Sequence, residues 1–220
     1  PTQQLLIAYY LLRGTIVYHP RQFSLLTWYE GEQNNKTEDY YYSLIPYDNG
    51  FLTINSQGMV WLGADGKKKM IYNKAGPRFY FTSDKQKNIW LQQWDGVIGF
   101  LSHNTQQFVP VSTTDLQNAI TGFLQTDDST YYILTNHKLK KIVYSNGRVK
   151  SDSEIHRHNI TTEYHFLYPF KPGMLWIGSD QGLLAFDLKT YQLNNIHAIG
   201  SSYLRAVEKI GDNNYLIGTY

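Results

Sequence analysis

Apolar runs of two to four residues recur along the chain and are separated by polar or glycine-bearing clusters. They are Leu6-Ile7-Ala8-Tyr9, Val60-Trp61-Leu62, Ile89-Trp90-Leu91, Tyr132-Ile133-Leu134, Leu175-Trp176-Ile177 and Leu216-Ile217. Runs this short, rich in β-branched and aromatic residues and bounded by turn formers, predict strands rather than helices. The clearest unit is Met174 to Asp187, which places Gly182 six and Phe186 ten residues after Trp176. Trp90 is followed by Gly96 and Phe100 at the same two spacings, although Gln92 stands where the other unit has Gly178. Weaker copies start at Trp61, Tyr132, Leu216 and Leu6.

Anchors at 6, 61, 90, 132, 176 and 216 lie 55, 29, 42, 44 and 40 residues apart, so the underlying period is 42 and only the boundary near Trp61 is displaced. One unit is therefore expected to be long and its successor short, with a strand missing. A period of roughly 40 to 50 residues built from short strands is that of four-stranded propeller blades. The expected fold is all-β, a β-propeller of about five blades of roughly 42 residues. Within the units, Met174 to Ser179 and Leu183 to Leu188 predict a hairpin around Asp180-Gln181-Gly182, and Thr190 to Ile199 an outer edge. Tyr203 to Ile210 and Tyr215 to Tyr220 predict a second hairpin. The glycine after each turn supplies the positive φ that tight hairpins need. Residues 1–220 are read as one propeller segment that starts and stops within a blade, part of a larger, seven-bladed ring; a closed ring of five is the alternative.

Composition narrows the partners. Charge is only +2 over 220 residues, and the basic residues are dispersed, which argues against a nucleic-acid footprint. No apolar run is long enough for a membrane helix. The absence of cysteine excludes disulfides and thiolate metal sites while permitting an oxidising compartment. Aromatic residues reach 15%, which suits packed sheets.

Leu175-Trp176-Ile177-Gly178-Ser179-Asp180-Gln181-Gly182-Leu183-Leu184-Ala185-Phe186-Asp187, preceded by Pro172-Gly173, resembles the two-component regulator propeller repeat, whose form is Leu-Trp-Ile-Gly-Thr, two variable residues, Gly-Leu, then an aromatic followed by Asp. The Trp90 and Trp61 copies resemble it in part. The resemblance implies the periplasmic sensor region of a Bacteroides-type hybrid two-component regulator. The parent would carry a membrane helix and a histidine kinase, and ligand occupancy would shift kinase activity. Implied partners are an oligosaccharide and the remainder of the propeller and sensor; separately, the sheet face an open arc would expose at each end invites self-association, a homodimer. The segment itself is expected to contact neither nucleic acid nor membrane, and to use no cofactor or metal.

Equivalent turns of the blades should share one face, which makes Asp65, Trp94, Asp95, Asn136, His137, Asp180 and Gln181 the candidate ligand-binding residues. Carboxylates and amides pair with sugar hydroxyls, and an indole stacks on a pyranose. Turn chemistry alone explains most of these residues, but not a large aromatic such as Trp94. Trp61, Trp90 and Trp176 read as packing between blades rather than as a stacking platform. Glu154, His156 and His158 would share a strand face by alternation and could hold a metal with His165, against the plainer reading of a solvated strand. Lys67-Lys68-Lys69 and Lys138-Leu139-Lys140-Lys141 read as exposed edges. No nucleophile elbow, phosphate loop or zinc-protease motif is present, so no catalytic residue is assigned. A polysaccharide lyase or glycosidase and a protein-interaction scaffold are the competing functions.

Overall fold

The computed structural model describes residues 5–7, 14–19, 24–30, 44–55, 58–63, 67–74, 80–113, 119–157, 162–196, 203–212 and 214–219. Every element among them is a β-strand, and the described strand registers are antiparallel. The chain forms two compact units, residues 1–83 with 92–95, and residues 84–91 with 96–220.

The first sheet is β1 (Leu5–Ile7), β2 (Gly14–His19) and β3 (Ser24–Glu30). The second is β4 (Leu44–Tyr47), β5 (Gly50–Asn55), β6 (Gly58–Gly63) and β7 (Lys68–Tyr72). The third is β8 (Thr82–Ser83), β9 (Ile89–Gln92), β10 (Val97–Leu101) and β11 (Phe108–Thr113). The fourth is β12 (Ile120–Gln125), β13 (Thr130–Thr135), β14 (Lys138–Ser145) and β15 (Arg148–Arg157). The fifth is β16 (Tyr164–Lys171), β17 (Met174–Ser179), β18 (Gly182–Asp187) and β19 (Leu193–Asn195). The sixth pairs β20 (Leu204–Lys209) with β21 (Tyr215–Thr219). Each sheet keeps its strands in chain order.

The second to sixth sheets begin at Leu44, Thr82, Ile120, Tyr164 and Leu204, 38 to 44 residues apart. The sheet that contains Trp61 and the one after it each have four strands, so the expected missing strand is not missing. The reason lies in Trp61. It sits on β6, the third strand of its sheet, whereas Trp90, Tyr132, Trp176 and Leu216 sit on second strands. Its true counterpart is the buried run Phe51 to Ile54 on β5.

In the second unit the sheets pack face to face through two apolar layers. Tyr132, Leu134 and Leu139 of the fourth sheet meet Leu175, Ile177, Leu184 and Phe186 of the fifth. On the fifth sheet's other face, Trp176, Phe166 and Leu183 meet Leu204 of the sixth. First strands of successive sheets also pack directly, β12 against β16 and β16 against β20. The features of the Trp176 unit have local causes. A Cβ on Gly178 would lie 2.0 Å from the Phe166 ring, and Gly182 adopts φ +113° at the end of its turn. The closing Asp187 accepts from the backbone N–H of Lys189 (2.7 Å) and Thr190 (3.0 Å), an Asx turn that directs the chain into β19. The outermost strand β15 is polar and exposed along most of its length, which suits an edge.

Candidate functional site

The turns between second and third strands carry most of the predicted site residues. In the first unit, Trp94 and Asp95 lie in the turn after β9, and Trp94 is 53% exposed. Gly96 closes that turn at φ +84°, and the neighbouring Gln93 amide donates to the Tyr72 hydroxyl. In the second unit, Asn136 and His137 join β13 to β14, and Asp180 and Gln181 join β17 to β18. Gln181 is exposed, whereas Asn136, His137 and Asp180 are half-buried. Asp65 lies outside the described residues; it falls between β6 and β7, the third and fourth strands of its sheet, and so is not the counterpart of the others.

Half-burial of the second-unit turns has a specific cause: each grips the start of a first strand. The Asn136 carbonyl accepts from the Tyr164 N–H (2.7 Å), and the His137 ring bonds to the Thr162 carbonyl through Nδ1 (3.0 Å). On the other side, the Asp180 N–H donates to the Glu163 carbonyl (3.1 Å). The segment 162–165 is thus held by the turn of the preceding sheet and by the turn of its own.

One feature repeats at this end. In the fourth, fifth and sixth sheets the pairing of first and second strands slips by one residue, between Ile120 and Gly122, Tyr164 and Phe166, and Leu204 and Ala206. The extra residues are Thr121, His165 and Arg205, a β-bulge at the same place in each of the three sheets. Bulges re-aim side chains and often border functional sites. His165 and Arg205 meet across adjacent sheets, with Arg205 Nη1 3.4 Å from His165 Nδ1. A guanidinium only donates, so Nδ1 accepts and the imidazole proton sits on Nε2. Tyr203 stacks on the His165 ring (5.9 Å, 25°) with the Arg205 guanidinium over its own ring at 6.0 Å. Burial holds the His165 pKa below the ordinary 6.5, reinforced by Arg205 and opposed by Glu163 and Asp180.

Several polar atoms here are buried without a hydrogen-bond partner: Thr121 Oγ1, Asn136 Oδ1, Thr162 Oγ1, His165 Nε2 and Asp180 Oδ1. Sequence reasoning reached Asn136 and Asp180 as turn residues. It did not place Thr121, Thr162, Glu163, Tyr203 or Arg205, and it considered His165 only as a metal ligand. No local signal marks a bulge residue, because the slip is defined by the partner strand.

The metal reading is not supported among the described residues, where no cluster of three ligating side chains forms. A bulge between Leu139 and Lys140 pairs Glu154 with Lys140 but His156 with Leu139, so alternation fails and the two side chains face opposite ways. Glu154 pairs with Arg157 (2.6 Å), which holds its carboxyl below the usual range, while His156 packs edge-on against Phe186 (5.7 Å). His158 lies outside the described residues. The lysine runs divide. Lys68 and Lys69 are exposed on the edge strand β7, as expected. Lys138 and Lys140 lie on β14, between β13 and β15, and pair with Glu154 (3.9 Å) and Asp152 (3.0 Å). Among the three tryptophans, Trp90 and Trp176 pack against the following sheet, and the half-buried Trp61 donates its indole N–H to the Tyr47 carbonyl (3.3 Å).

Four-stranded antiparallel sheets in chain order, repeated at 38 to 44 residues, define the class: the fold is a β-propeller. Solved structures agree. The extracellular domain of a hybrid two-component system from B. thetaiotaomicron matches 98% of this chain and 30% of its own length, at TM-score 0.73 and 16% identity. A second such domain from the same organism matches 98% of this chain and 31% of its own, at TM-score 0.68 and 16% identity. Virginiamycin B lyase from Staphylococcus aureus matches 100% of this chain and 78% of its own, at TM-score 0.72 and 11% identity. The chain therefore spans less than a third of the two-component system domains it resembles. No protein-family model and no curated protein sequence matches the chain.

Proposed function

We propose that this chain is a ligand-sensing segment of an extracytoplasmic, membrane-anchored sensor, that it binds oligosaccharides, and that it signals to a histidine kinase elsewhere in a longer parent. The observation that carries the reading is the grip of the turn after β13 on the first strand of the next sheet, through the Asn136 carbonyl and the His137 ring. A ligand on that turn contacts the same residues that hold neighbouring blades together. Its binding energy can then favour one packing of the blades over another, which is what a sensor requires. The regulator-type repeat around Trp176 and the likeness to extracellular domains of two-component systems support the same reading. In the first unit, the exposed Trp94 beside Asp95 offers an apolar face and a carboxylate of the kind sugars use.

A second reading has one observation behind it. His165 lies among Glu163, Asp180 and Arg205, a grouping able to move a proton, and propeller lyases are among the structural neighbours. Calorimetric titration with defined oligosaccharides, run alongside a turnover assay on the same panel, separates the two. Saturable binding without product, weakened in Trp94→Ala, supports the sensor; steady release of cleaved glycan supports an enzyme and sinks it.

A further inference from the structure

We infer that the bulge residues Thr121, His165 and Arg205, with Asn136, Thr162, Asp180 and Tyr203, form a subsite for an uncharged, hydroxyl-bearing ligand such as one neutral sugar residue. The inference rests on the sensing reading above and adds where the ligand sits and what chemistry it carries.

The unpartnered atoms set that chemistry. His165 Nε2 carries its proton and is a donor without an acceptor. Asn136 Oδ1 and Asp180 Oδ1 are acceptors without donors, and the Thr121 and Thr162 hydroxyls can serve as either. Thr162 is only 1% exposed, so its hydroxyl is desolvated with nothing in return. Unsatisfied donors and acceptors on one set of turns and bulges call for groups that do both, and alcohols do. A carboxylate or phosphate would satisfy His165 but leave the acceptors unmet, and it would approach Asp180 and Glu163 as a like charge. A cation would meet Arg205. Tyr203, 51% exposed, adds the aromatic face on which the C–H side of a pyranose packs.

Position supports the assignment. Three consecutive sheets place an extra residue at the same point of their first strands, and these strands pack against one another. Two of the three bulge residues touch across the blade boundary. The orphaned atoms are shielded in the free protein, and Tyr203, stacked on the His165 ring, is itself exposed to solvent.

The test is calorimetric titration of the full chain with neutral gluco-, manno-, galacto- and fructo-oligosaccharides and with uronate-bearing counterparts, in wild type and three variants. His165→Phe keeps the ring stack and removes the donor, Thr121→Val keeps the shape and removes the hydroxyl, and Tyr203→Ala removes the aromatic face. Thermal melts monitor folding, and because Tyr203 is exposed, Tyr203→Ala keeps the test valid should a bulge variant unfold. A neutral oligosaccharide should bind, with affinity falling roughly five- to tenfold in His165→Phe and at least as much in Tyr203→Ala. Binding that all three variants leave intact but Trp94→Ala removes overturns the subsite and leaves the sensing reading standing. Binding of uronates only overturns the ligand class. Absence of binding across the panel overturns both.

Discussion

Trp90 and Trp176 occupy the same place in their blades, the second strand, six residues before the glycine that closes the turn, yet their surroundings solve one problem in two ways. Trp90 is 2% exposed and its indole N–H donates to Asp84 Oδ2 at 2.9 Å. The same carboxylate accepts from the Asn88 backbone (2.8 Å) and side-chain amide (3.0 Å), so one buried acid organises a turn and satisfies the indole. Asp84 stands six residues before Trp90; six residues before Trp176 stands Phe170. Its ring stacks on Trp176 at 4.0 Å and 12°, Tyr215 approaches at 4.8 Å, and the indole N–H has no partner. The repeat therefore preserves a position and a direction of packing, not an interaction. A blade can anchor its tryptophan by a charge-assisted hydrogen bond or by aromatic contact, and each choice has a different weak point.

The largest effect should come from Asp84→Ala. It strands the buried indole N–H and removes two further acceptor contacts, at a cost of ~3 kcal/mol. For a chain of this size that lowers Tm by roughly 6 to 12 °C, measurable by thermal melting followed through tryptophan fluorescence. A loss below about 1 kcal/mol would mean that water satisfies the indole equally well and that the contrast is superficial. Next in size is the pair Phe170→Ala and Phe170→Asp. Loss of the stack in the first should cost about 1 to 2 kcal/mol by urea unfolding. If the two positions are equivalent, the second places an acceptor where Asp84 stands, and it should be the milder of the two by about 1 kcal/mol. An equal or worse outcome for Phe170→Asp would break the equivalence.

The smallest effect belongs to His165, where the contrast is between a satisfied and an unsatisfied buried group. Its folded pKa lies below the unfolded 6.5 because burial and Arg205 disfavour the charged ring. Above 6.5 both states are neutral and the contribution is flat. As pH falls through 6.5 the unfolded chain gains a proton before the folded one, so stability declines until the folded ring also protonates. Urea midpoints measured from pH 7.5 down to 5 should show that decline, and His165→Phe should flatten it. Parallel curves for the two proteins would show that another group governs the slope.

Much of the fold was legible because its signals are local. The period, the hairpins at 174–187 and 204–219, and the glycine of positive φ after the turn follow from alternation and turn chemistry within ten or so residues. The error at Trp61 came from the same source. Trp61-Leu62-Gly63 on a third strand has the same local pattern as Trp176-Ile177-Gly178 on a second strand, and only pairing to β5 and β7 distinguishes them. The candidate site was half legible. Asn136, His137, Asp180 and Gln181 were found as turn residues, but the reason the first three are half-buried, their hydrogen bonds into segment 162–165, joins residues that no short window contains.

The sequence by itself determined that this protein is a series of antiparallel blade-like units with a period near 42, where the chain turns at the clearest hairpins, and that Trp90 and Trp176 pack between blades. Those outcomes depend on backbone preference and two-residue periodicity, which neighbouring residues settle among themselves. Tertiary structure alone decided that Thr121, His165 and Arg205 are bulge residues at equivalent points, that Glu154 and His156 part company, and that Trp90 meets a carboxylate where Trp176 meets a ring. A one-residue slip in register reassigns every side chain beyond it to the opposite face. That slip is set by the partner strand and the next blade, not by the strand's own residues.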